Sequence, residues 1–174
     1  MAVTNAEVTG TTTPNDWTVS AGASKPEAVN SPDDDASSYI DSSTTSGTVQ
    51  TFTVTPALNP GDTITQIAVA VRAKRGATLD ANYAVGYSFT PQSGGTQSGQ
   101  SATFTAEANW GTSFFTDPGL SVLWGSNLTV NVRNMQARRV LVTTLTLTIT
   151  YTPGPSGPAA GAFAHSHRMQ LAIS

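Results

Sequence analysis

Apolar and polar residues alternate with a period of two along several stretches of the chain. From residue 83 to 89 the apolar positions are Tyr83, Val85, Tyr87 and Phe89, with Ala84, Gly86 and Ser88 between them. Phe104, Ala106, Ala108 and Trp110 alternate with Thr105, Glu107 and Asn109. Leu128, Val130 and Val132 alternate with Thr129, Asn131 and Arg133. The longest run sets Leu145, Leu147, Ile149 and Tyr151 against Thr144, Thr146, Thr148 and Thr150. Successive side chains of a strand point to opposite faces. Each run therefore predicts a strand with one face on a core and the other outside it.

Residues 48–55 predict another strand, with Phe52 and Val54 on one face. Ile67, Val69 and Val71 predict a further one. Ile64 has the opposite parity to Ile67, which predicts a bulge or a twist near Gln66. Residues 8–13 and 39–43 supply short strands. The connections carry turn chemistry. Asn59-Pro60-Gly61-Asp62 has Pro at the second position and Gly at the third, the requirement of a type II turn. Residues 92–99 read as an exposed loop, and Asp117-Pro118-Gly119 as a turn. No stretch has helical periodicity with caps. About eight short strands at this spacing predict an all-β, antiparallel, jelly-roll-like sandwich. It is expected over residues 15–153, after an N-terminal extension at 1–14. Residues 154–174 form a Pro/Gly linker and a C-terminal arm. The alternating Phe163, Met169, Leu171 and Ile173 suit an arm that adds to a neighbour's sheet edge.

Composition narrows the function. Charged residues make up only 11% of the chain, against about a quarter in an ordinary soluble domain. The surface is therefore neutral and hydrogen-bonding. A net charge of -3 gives no basic footprint for nucleic acid. There is no cysteine, so thiol catalysis and Cys-ligated zinc are excluded. No apolar run is long enough for a membrane helix. The first residues lack the basic and apolar segments of a secretory signal.

Catalytic residues are not evident. The two histidines, His165 and His167, lie in the arm, and no carboxylate pair stands out. No enzyme activity and no cofactor are expected. Asp33, Asp34 and Asp35 are oxygen ligands in a loop, but they lack EF-hand spacing. A polar turn is the simpler reading, with a calcium site as the alternative. Trp17 and Trp124 fall in irregular segments and are the candidates for stacking on a sugar ring. The same residues also suit the covered ends of a sandwich core.

One longer pattern resembles tailed-phage virion structural proteins. Trp17 precedes Pro32-Asp33-Asp34-Asp35 and then Tyr39-Ile40; Ile67, Val69 and Val71 follow. Asp117-Pro118, Trp124 and Leu128 come next, and Arg139, Val140, Tyr151 and Pro153 close the pattern. The similarity spans residues 15–153, with a shortened loop at 119–124. It implies a non-enzymatic virion component of jelly-roll type, assembled in the host cytoplasm. A capsid decoration protein is the leading expectation, homotrimeric or larger, with a major capsid or tail protein as partner. The alternatives are a carbohydrate-binding sandwich using Trp17, Trp124, Tyr39 or Tyr87, and a tail or filament subunit.

Overall fold

A computed structural model of the chain describes residues 1–20, 24–30 and 38–155. Asp33, Asp34 and Asp35, the arm residues Phe163, Met169, Leu171 and Ile173, and both histidines lie outside these residues. Two six-stranded antiparallel sheets form the sandwich. The first contains β1 (Ala2–Ala6), β3 (Thr18–Val19), β4 (Ile40–Asp41), β6 (Thr63–Arg75), β10 (Gly111–Leu123) and β12 (Val140–Thr152). Its order is β10-β6-β12-β4-β3, with β1 also on β12. The second contains β2 (Val8–Asn15), β5 (Val49–Val54), β7 (Ala81–Thr90), β8 (Gln97–Gln100), β9 (Phe104–Ala106) and β11 (Ser126–Asn134). Its order is β2-β5-β11-β7-β8, with β9 also on β7.

The alternating apolar residues meet between the sheets. Val69, Leu145 and Leu147 from the first face Phe52, Tyr87 and Val130 from the second, and all are buried. The bulge expected near Gln66 is present. Gln66 pairs with Thr150 and Ile64 with Tyr151, so Thr65 is skipped and both Ile64 and Ile67 reach the core. The Asn59–Asp62 turn closes with Asp62 N–H donating to Asn59 O at 3.1 Å, and Gly61 takes a φ of 95°.

The structure corrects several local expectations. There are twelve strands among the described residues, because short and edge strands carry weak alternation. Residues 1–14 are not an extension: β1 joins one sheet and most of β2 the other. Asp117-Pro118-Gly119 is a bulge within β10 rather than a turn. An edge strand tolerates Pro, whose missing N–H need not serve a second neighbour. The loop at 92–99 shares its last residues with β8. The strand from Phe104 ends at Ala106, and Trp110 lies near the surface with Lys74 Nζ 4.5 Å from its ring centre. A short helix, α1 (Lys25–Asn30), also forms. Ser24 and Glu27 make its capping box: Ser24 N–H and Oγ–H both donate to Glu27 Oε2, at 2.9 and 2.8 Å.

Candidate functional site

The outer face of the second sheet is built from the residues between the core positions. Registers align them in two ranks across five strands. One rank is Gly10, Thr53, Thr129, Ser88 and Ser98; the next is Thr12, Thr51, Asn131, Gly86 and Gln100. None of the ten is charged or aromatic, and none is larger than Gln. Gly86 keeps the floor low. A Cβ there would lie 2.9 Å from Gly99 O and 3.2 Å from Asn131 Oδ1.

At one end the ranks open into a cleft of about 560 Å³. Chain departures at three strand ends create it. β5 leaves the sheet at Thr55-Pro56, and β10 turns through Trp124-Gly125 into β11. The pairing of β11 with β7 slips between Ser126 and Thr129, which frees Asn127 from the ladder at a φ of 58°. Val54, Pro56, Trp124 and Leu128 supply apolar surface to the cleft. Thr12, Thr53, Thr55, Ser126, Asn127 and Thr129 supply hydroxyl and amide groups. Among the described residues, no ionisable side chain lines it.

Trp124 is fixed on two sides. Its main-chain N–H donates to the main-chain oxygen of Asp62 at 2.8 Å, and its ring centre lies 6.0 Å from that of Phe89. It keeps 9% exposure at the cleft wall. Gly125 makes the sharp corner feasible, since a Cβ there would sit 2.3 Å from Thr90 O.

Of the two tryptophans singled out for sugar stacking, only Trp124 borders the cleft. Trp17 is 2% exposed within the core and presents no face to a ligand. Its irregular sequence setting suggested exposure, but Thr18–Val19 and α1 pack this segment into the sandwich. Tyr87 is likewise buried and does not stack on a sugar. Its hydroxyl donates to Asp117 Oδ2 at 2.5 Å. Tyr39 is half-buried. Period-two alternation was the signal for Tyr87. The threonine and serine ranks were not legible, because cross-strand register is not encoded in any one segment.

The arrangement suits recognition by apolar contact and neutral hydrogen bonds. The cleft lining provides no general base, no acid and no activated nucleophile. Among the described residues, no three His, Asp or Glu side chains gather where they would hold a metal.

No protein-family model matches this chain. No curated protein matches it either. Solved structures do. The CBM22-1 xylan-binding domain of Paenibacillus barcinonensis Xyn10C is 13% identical with a TM-score of 0.50, over 83% of this chain and 92% of that one. The CBM22-1–GH10 modules of Clostridium thermocellum xylanase 10B, complexed with xylohexaose, are 15% identical with a TM-score of 0.52. That match covers 92% of this chain and 30% of the longer protein. A domain of bacteriophage CBA120 tailspike protein 4 matches at a TM-score of 0.41 and 17% identity, over 78% of this chain and 19% of that one, and carries no weight here. At such identities the likeness concerns fold alone. The chain has the antiparallel jelly-roll β-sandwich fold that these carbohydrate-binding modules also have.

Proposed function

We propose that this chain is a non-catalytic carbohydrate-binding β-sandwich that takes a neutral polysaccharide in the Trp124 cleft. The cleft itself carries the reading. It pairs an indole and aliphatic surface with hydroxyl and amide groups, and its described lining carries no charge. Sugar rings present apolar C–H faces and equatorial hydroxyls, so this mixture is complementary to them. The fold shared with a xylan-binding domain supports the same reading. The test is titration of the protein with xylohexaose and soluble xylan, followed by calorimetry and tryptophan fluorescence. Saturable binding that Trp124→Ala abolishes is expected. Absence of binding across a panel of neutral glycans would overturn the reading.

A second reading keeps the sandwich on a virion. The sequence pattern running from Trp17 to Pro153 favours it. So does the outer face of the first sheet, where Ala68, Ala70, Thr146 and Thr148 lie between exposed Phe114 and Val3. On this reading the protein decorates a capsid or tail, as a homotrimer or larger assembly formed in the host cytoplasm. Phe163, Met169, Leu171 and Ile173 then hold neighbours together. Light scattering on the full chain and on a chain ending at Pro153 tests it. An assembly that dissociates without the arm is expected, and a monomer in both counts against it. The two readings are compatible if the virion protein presents the cleft outward.

A further inference from the structure

We propose that Asp62 and Gly154 form a clamp that positions Trp124, so that the cleft is set by a chain segment outside both sheets. The glycan role of the cleft rests on the function proposed above; the clamp itself does not. Asp62 is 3% exposed and does not border the cleft. It nevertheless serves three segments at once. One carboxylate oxygen, Oδ2, accepts Asn59 N–H at 2.8 Å and holds the Asn59–Asp62 turn. The other, Oδ1, accepts Gly154 N–H at 2.9 Å. Its main-chain oxygen accepts Trp124 N–H at 2.8 Å.

These bonds link the exit of β12 to the wall of the cleft through a single residue. Bonds from N–H groups to a buried carboxylate are stronger than neutral ones, which suits Asp62 as the fixed point. Gly154 is required for the approach. A Cβ there would lie 2.4 Å from Gly61 O and 2.5 Å from Gly61 C, both main-chain atoms that cannot rotate away. Any larger residue at 154 must move off the turn and take its N–H from Asp62. The turn then loses one side of its support, and Trp124 loses its rigid acceptor. Asp62 and Gly154 are thus positioning residues: neither borders the cleft, and both act through the main-chain N–H of Trp124.

The experiment compares the wild-type chain with Gly154→Ala and Asp62→Asn. Acrylamide quenching is measured for each, with and without Trp124→Phe, so that the difference isolates Trp124. Xylohexaose affinity and the urea midpoint are measured alongside. Gly154→Ala is expected to increase quenching of Trp124, to weaken xylohexaose by about tenfold and to lower the urea midpoint. Asp62→Asn keeps the shape but loses one acceptor, and an intermediate effect is expected. Unchanged Trp124 quenching in both variants would overturn the clamp, whatever happens to stability. If the wild-type chain binds no glycan, the function proposed above fails, and the quenching comparison still decides the clamp.

Discussion

Tyr87 donates its hydroxyl to Asp117 across the gap between the two sheets, at 2.5 Å. Tyr87 stands on β7 in one sheet and Asp117 on β10 in the other. Tyr83, two pleat repeats earlier on β7, does the same to Ser113 at 3.0 Å. The sandwich is therefore fastened on its β7–β10 side by polar ties as well as by packing. Removing the hydroxyl leaves a half-buried carboxylate without its donor. Tyr87→Phe should cost about 2 kcal/mol, the range for a bond to a charged group. Urea denaturation of Tyr87→Phe, Asp117→Asn and the double variant checks it. A coupling energy near zero in that cycle would refute the tie.

The same pair predicts weakness in alkali. Burial raises the Tyr87 pKa well above its ordinary value, and the bond to Asp117 and its negative charge act in the same direction. Burial also raises Tyr83, against a smaller opposing effect of Ser113. Both folded values exceed the unfolded value of about 10. Their contribution is complete below about pH 10 and is lost as pH rises through the folded values. Lys25 opposes this, since burial lowers its pKa against the pull of Asp16. The melting temperature should fall above about pH 10, and the fall should be shallower in Tyr87→Phe. Equal slopes in the two proteins would show that other groups control alkaline unfolding.

Gly99 stands behind this tie. A Cβ at that position would lie 2.6 Å from the Tyr87 ring and 2.8 Å from Asp117 Oδ2. Gly99→Ala should therefore destabilise by about 1–3 kcal/mol through overpacking. Adding Tyr87→Phe should not relieve the clash with the ring, whereas Asp117→Ala should relieve part of it. Thermal melts of the three variants separate these outcomes.

The cleft predicts an insensitivity. Among the described residues no ionisable side chain lines it, so the affinity for the proposed glycan should change little between low salt and 1 M NaCl. Steep salt dependence would place the ligand elsewhere. Trp17→Ala and Trp124→Ala both remove a buried indole and should each cost about 3–5 kcal/mol, whereas only Trp124→Ala also removes apolar surface from the cleft.

The sequence made the central strands legible and the edges obscure. β7, β11 and β12 each turn an apolar face to the core, so their alternation is strong, and the skipped Thr65 left its trace as a change of parity between Ile64 and Ile67. β10 was hidden because its inward residues include Ser113 and Asp117, which are polar, while exposed Phe114 points away from the core. Its polar residues face inward to meet tyrosine hydroxyls, a relation that needs the other sheet to be seen. α1 has only six residues, fewer than two turns and too few for a period, although Ser24 and Glu27 at a spacing of three were a readable cap. The cleft was half legible. Trp124 was picked out by its setting, but Trp17 was picked out on the same grounds and proves to be core. Irregular local sequence does not distinguish a ring that borders a cleft from one wholly covered by a distant segment.

The pairing of β1 with β12 joins residues at opposite ends of the sandwich sequence: Ala2 stands opposite Tyr151 and Ala6 opposite Leu147. β12 is also the strand on which β6 and β4 are assembled. On the ribosome, the first sheet therefore cannot close until residues 140–152 have emerged. Until then β1 and β6 expose unpaired backbone, and the half-made domain is open to pairing with other chains. Such long-range closure also makes for slow refolding.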